Sequence, residues 1–274
     1  MVKARAGQRT EELVRACLVV SFASASLILL LQTALVSGLS GADLGENSLS
    51  SVLSSDFGLW SGARIPLVLG LAVLLVGRVR GVLTKETSTA WWGSWIVLSG
   101  GLLVATSLSG HASVAAPPWS VLNDVLHLAS GSTWFAGVVG LGVVLPHAVA
   151  STGSISLAAA AVSRFATVAL VSISLAATTG TINSFLALER FDDLWRDGYG
   201  RTLLAKIVVF MVVLGLGGLS HFVIRNRLER AAADAESGRD ARRLFQVAIA
   251  LEVLVGVAIL VLTGLLTGLD PPGN

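Results

Sequence analysis

Long apolar stretches separated by short polar ones organise this 274-residue chain. Runs of about 20 apolar residues are long enough to cross the hydrocarbon core of a bilayer as helices. Seven such runs stand out: Leu13–Val36, Trp60–Val76, Gly93–Leu108, Val121–Leu145, Phe165–Leu188, Leu203–Ile224 and Leu244–Thr267. The third is short, and Trp91, Trp92 and Trp95 ahead of its middle read as an interfacial belt. Glycines recur inside the runs, at Gly100, Gly101, Gly137, Gly140, Gly142, Gly215, Gly217, Gly218, Gly264 and Gly268. Between lipid-embedded helices small residues permit close approach, so the pattern predicts a tight bundle. The expected fold class is therefore all-α, a polytopic transmembrane bundle of about seven spans, with residues 1–274 forming one integral membrane domain. The loops run to about 20 residues, too short for a soluble domain of ordinary size.

Charge sorts the loops into two sides. One receives Lys3, Arg5, Arg9, Arg15, Arg78, Arg80, Lys85, Arg164, Arg225, Arg227, Arg230, Arg239, Arg242 and Arg243, which is 14 of the 19 basic residues. The other has Arg64, Arg190, Arg196, Arg201 and Lys206 among several aspartates and glutamates. The excess of Lys and Arg on cytoplasmic loops predicts a cytoplasmic N-terminus and an extracytoplasmic C-terminus. The first run is longer than a signal-peptide core and no Ala-x-Ala site follows it, so it is expected to remain as a span. The location implied is the cell membrane, crossed many times.

Composition removes several function classes. The chain is 54% hydrophobic and 13% charged, with mean hydropathy +0.79, and no block of like charge suggests a nucleic-acid surface. Cys17 is the one cysteine, which excludes an intrachain disulfide and a thiolate cluster. No nucleophile–base arrangement, phosphate loop or nucleotide motif appears, so neither a hydrolase nor an ATP-driven pump is expected, and the chain reads as a non-enzyme.

The residues that look most like chemistry are two histidines flanking one outward loop. The first lies in Ser109-Gly110-His111-Ala112 and the second in Asp124-Val125-Leu126-His127-Leu128. A neutral imidazole is a good ligand for copper, zinc or iron. Asp124 stands three residues before His127, on the same helical face, where it could orient that ring or add a carboxylate. Two interfacial histidines that merely cap helix ends fit the spacing equally well. Two nitrogens do not complete a metal site, and Asn183, Glu189, water or a partner are the available sources of more.

From Ser109 onward the chain resembles the copper resistance protein D (CopD) family. The landmarks, in order, are Ser109-Gly110-His111-Ala112; His127-Leu128-Ala129 with Trp134-Phe135-Ala136-Gly137; Ser163-Arg164-Phe165 leading to Thr179-Gly180-Thr181-Ile182-Asn183; Tyr199-Gly200-Arg201-Thr202-Leu203-Leu204-Ala205-Lys206; and Leu251-Glu252 ahead of Pro271-Pro272. The match covers residues 109–272, whereas residues 1–108 fit less distinctly, with Asp56-Phe57-Gly58-Leu59-Trp60 as their best landmark. The resemblance implies copper transport, uptake or resistance at the membrane, with copper as the bound metal. It also implies a small extracytoplasmic CopC-like copper-binding partner, and relatives with eight spans rather than seven.

Supporting residues follow from the topology. Asn183 and Lys206 lie about one turn inside the outer face, and Lys206 either snorkels or pairs with Asp124. Near the inner side come Arg164, His221 and Glu252, the last about two turns deep. A carboxylate at that depth should be protonated, paired or wetted, so an ion pair is expected there, with an inner relay for a cation as the alternative. Sulfur ligands suited to Cu(I) are scarce: Met211 and Cys17 are the candidates within spans. The competing reading is a b-type haem protein that passes electrons, with axial ligands drawn from His111, His127, His147 and His221. A structural or assembly subunit with no site of its own is the third.

Overall fold

The computed structural model describes residues 2–37, 46–80, 88–110, 117, 119–152, 155–219, 238–269 and 271–272. His111 and His221 lie outside them, and of the His147 side chain nothing is described. Among the described residues the secondary structure is helical, without strands: α1 Val2–Val36, α2 Glu46–Leu53, α3 Asp56–Val79, α4 Ser88–Leu108, α5 Trp119–Thr152, α6 Ile155–Ala187, α7 Asp193–Arg196, α8 Gly198–Leu219 and α9 Gly238–Thr267.

Seven of these helices are long and apolar enough to cross a membrane, and they coincide with the seven apolar runs. They begin a little earlier than the hydropathy does, at Gln8 rather than Leu13, Ala160 rather than Phe165 and Gly198 rather than Leu203. Most of the extra residues are polar or small. Backbone groups entering lipid must already be bonded within their helix, so the helix has to start before the apolar run. Large apolar side chains point outward along the spans, with Val73 70%, Val97 71% and Leu170 68% exposed. Such surface fits lipid and would be an aggregation hazard in water.

The chain forms two compact units. One comprises Glu11–Val125. Within it, α3 and α4 pack together, with Leu98 set against Gly70 and Leu67 against Gly101. Trp91 Nε1 donates to the Leu74 carbonyl at 3.2 Å, and the Arg78 guanidinium lies 5.0 Å from the centre of the Trp91 ring. The tryptophan belt thus binds the basic end of its neighbouring span. At the other end, Ser55 caps α3 by accepting from the Gly58 amide at 3.1 Å, and the missing side chain of Gly58 admits the Val52 carbonyl of α2.

The second unit comprises Met1–Thr10 and Leu126–Asn274. Its core joins α5, α6, α8 and α9 through Trp134, Val138 and Val213, with Phe165, Ile173 and Val253 packed against them. A second cluster of Leu145, Phe245 and Ile249 ties α5 to α9. A third, of Leu194, Leu203 and Leu266, closes the end where α7 turns into α8.

Candidate functional site

His127 lies on α5, in the part of that helix that belongs to the second unit, and it is half-buried. Its Nδ1 is 3.0 Å from the Ala176 carbonyl oxygen and 3.2 Å from Thr179 Oγ1, both on α6. Thr179 sends its own hydroxyl proton to the Leu175 carbonyl at 2.6 Å, so towards the ring its oxygen acts as an acceptor. Both neighbours of Nδ1 therefore accept, and the bonding geometry requires Nδ1 to carry the hydrogen. In the neutral ring the lone pair is then on Nε2, the arrangement a metal-binding imidazole needs.

Glycine makes the approach possible. A side chain at Gly180 would bring its Cβ to 2.9 Å from His127 Cε1 and 3.3 Å from Nδ1. No real carbon sits that close to a ring, so the imidazole lies against bare helix backbone. The Ser130 hydroxyl donates to the His127 carbonyl at 2.9 Å. On α5 the buried polar residues Ser120, Asn123 and Ser130 follow one another at spacings of three and seven, and His127 falls on the same stripe.

Asp124, expected to orient the ring, is half-buried three residues earlier on α5. The described contacts at Nδ1 come from Ala176 and Thr179. Neither carries a titratable group, and only Thr179 stood in a landmark of the sequence, Thr179-Gly180. Asn183 stands one turn beyond Thr179 on α6, and Lys206 lies on α8, both half-buried.

Glu252 is buried on α9, 6% exposed. His221, one of the two cationic groups expected near it, lies outside the described residues, and Arg164, the other, is exposed on α6. The reason is helical geometry. Phe165 turns into α5 against Gly137, and adjacent residues on a helix point about 100° apart. Seating Phe165 sends Arg164 outward. The buried carboxylate nonetheless lies on the core side of α9, beside Val253.

Other landmarks pair in the same manner. Phe135 and Trp134 meet Gly256 of α9, and Gly142 receives Ile249. Asp193 is buried, and its Oδ2 accepts from the Arg190 amide at 2.8 Å, while its carbonyl is approached by Gly200. Arg201 donates to the Asp197 and Arg196 carbonyls at 3.3 Å each. The Tyr199–Lys206 landmark therefore begins as architecture, folding the α7–α8 corner, and ends on Lys206, the second cation of α8 after Arg201.

Among the described residues no three His, Cys, Asp or Glu side chains gather as a metal cage. Among the described residues His127 is the imidazole held by ring contacts to a neighbouring helix.

Two family models match the chain. Copper resistance protein D matches residues 159–266, and the N-terminal domain of copper resistance protein D-like proteins matches residues 1–119. Among curated proteins, the copper transport protein CutJ of Bacillus subtilis (strain 168) is 28% identical over 205 residues, 74% of this chain and 35% of that protein. Copper resistance protein D of Pseudomonas syringae pv. tomato is 29% identical over 182 residues, 64% of this chain and 58% of that protein. The chain thus spans roughly a third to three-fifths of the curated relatives it matches. No solved structure matches.

Proposed function

Since the chain belongs to the copper resistance protein D family and is a copper-handling, multi-pass membrane protein, we propose that His127 receives copper at the extracytoplasmic face. The observation that carries this is the Nδ1 bond to α6, which aims the Nε2 lone pair as a ligand and holds the ring still. The charge of the loops supports the outward position of this end of α5. Copper is here the cargo. A single fixed nitrogen suits that role, because an ion held by a full cage would leave slowly, whereas an ion shared with mobile or partner ligands can be handed on.

His111 is the natural second nitrogen, with Asp124 as a carboxylate beside the entry. An extracytoplasmic copper-binding protein of the CopC kind would supply the ion and the ligands the membrane chain lacks. Beyond His127 the buried Glu252 offers a polar station within the second unit, where a cation would find a carboxylate after leaving imidazole. No group-transfer chemistry is required of the chain.

The test is cellular copper content and copper tolerance with His111→Ala and His127→Ala, at equal abundance in the membrane. Loss of copper-dependent behaviour in both is expected. Unchanged copper content in both would contradict the proposal.

The same Nδ1–carbonyl bond is what an axial haem ligand uses, so electron transfer through a b-type haem is the second reading. A Soret band in the purified protein that disappears in His127→Ala would establish it in place of copper reception.

A further inference from the structure

At the end of the first unit where Arg15, Arg78 and Arg80 gather, α1 and α3 enclose a groove of about 420 Å³. Its walls are apolar, including Leu18, Leu75, Val76 and Val79, and its two polar lining residues are Arg15 and Arg80. We propose that this groove binds one anionic phospholipid, with the phosphate between Arg15 and Arg80 and an acyl chain along the apolar wall. The inference does not rest on the copper reading.

Three observations select that occupant. The first is depth. From Arg15 to Val36 the helix α1 rises about 31 Å, which matches a hydrocarbon core of about 30 Å. The two guanidinium groups therefore sit at its boundary, the level of lipid phosphates. The second is charge. Arg78, the third arginine at this end, is already spent on the Trp91 ring. Arg80 ends α3 and is exposed. Arg15 has Glu11 at 3.9 Å, a long pair between side chains 55% and 41% exposed, which is weak in water-facing surroundings. One carboxylate against two guanidinium groups leaves the rim cationic, and a guanidinium fork matches phosphate oxygens. The third is the join of the two surfaces. An apolar wall running directly beneath a cationic rim is complementary to a molecule that is anionic at one end and apolar along the rest. Basic pockets between spans on the cytoplasmic side are the form such recognition takes.

The test uses the full chain, delipidated in mild detergent and exchanged into nanodiscs of phosphatidylcholine with or without phosphatidylglycerol, with retained lipid measured by native mass spectrometry. Two variants remove different halves of the site: Arg15→Gln with Arg80→Gln removes the charge, and Val76→Trp fills the groove while keeping it. Arg164→Gln, an exposed basic residue outside the groove, is the control. The expected result is one phosphatidylglycerol retained by the wild type and by Arg164→Gln, at least tenfold less in either groove variant, and no comparable retention of phosphatidylcholine. Equal retention of both lipids, or retention unaffected by Val76→Trp, would overturn the proposal. Displacement of the lipid by millimolar inorganic phosphate would show an anion site rather than a lipid site. A dimer that Val76→Trp dissociates would show that a second copy, not a lipid, covers the groove.

Discussion

The two units use one packing device to different ends. In Glu11–Val125, glycines on α3 and α4 receive leucines: Gly70 takes Leu98, and Gly101 takes Leu67. In Leu126–Asn274, Gly142 takes Ile249, but two glycines on α5 and α6 receive rings: Gly137 takes Phe165, and Gly180 takes His127. Polar groups differ in one respect. Among the described residues the buried side-chain atoms without a hydrogen-bond partner, Ser61 Oγ, Arg64 Nε, Trp95 Nε1 and Ser107 Oγ, all lie in the first unit. In both units hydroxyls return their protons to carbonyls of their own helices, Ser24, Thr33 and Thr106 in the first and Ser130, Thr179, Ser184 and Thr263 in the second. Returning the proton turns each hydroxyl outward as an acceptor, and at Thr179 that acceptor faces an imidazole. A glycine contact becomes a site only when the side chain it admits has chemistry and the neighbouring hydroxyl is committed to one role.

The sharpest way to break the comparison is to remove the ring. His127→Ala should abolish copper binding at this site while the spans stay assembled, because the half-buried imidazole lies outside the three buried clusters that join the helices. Copper accumulation in cells at matched membrane abundance reads the effect. By contrast Leu98→Ala, the equivalent truncation in the first unit, should lower thermal stability by about 1–2 kcal/mol, below the scale of fully buried leucines because Leu98 is half-buried, and leave copper accumulation per folded chain unchanged.

Next in size is the glycine. Gly180→Ala places a carbon where the ring now lies, so the imidazole must rotate away and copper affinity should fall by one to two orders of magnitude, consistent with losing an outer-shell anchor. Gly101→Ala meets Leu67 Cδ2 at 3.3 Å, a contact that a flexible leucine can relieve. Its effect on copper should be negligible. Similar copper loss from both substitutions would mean that general bundle packing, and not ring placement, controls the site.

A smaller effect is expected from Thr179→Val, which keeps the shape and removes one of the two acceptors at Nδ1. The Ala176 carbonyl remains, so affinity should drop by about tenfold, and Thr179→Ser should restore it. Smallest of all are Ser61→Ala and Ser107→Ala. Each removes a buried hydroxyl that bonds to nothing, so thermal unfolding in detergent should shift by less than about 1 kcal/mol, towards greater stability if at all. A marked loss in either would show that these hydroxyls have a partner in the assembled protein.

How much of this was legible in advance varies with the kind of physics involved. The seven spans could be read because hydropathy acts along the chain, one residue at a time. Their starts were read late, at Leu13 and Phe165, because the backbone must be helical before the side chains turn apolar. His127 was legible as an imidazole at a span entrance. Its partners were not, since the Ala176 carbonyl and Thr179 hydroxyl are common groups that matter only once α5 and α6 are in register. That register follows from Phe165 against Gly137 and His127 against Gly180, a pairing in space that hydropathy does not encode. The same pairing explains why Arg164 is exposed: its neighbour Phe165 takes the inward position.

The most direct test of the central claim is a copper titration of the purified protein against a chromophoric chelator, wild type beside His127→Ala, with His147→Ala as a histidine control. The account predicts one copper equivalent in the wild type and in His147→Ala, and its loss in His127→Ala. Equal copper binding by wild type and His127→Ala would contradict the account.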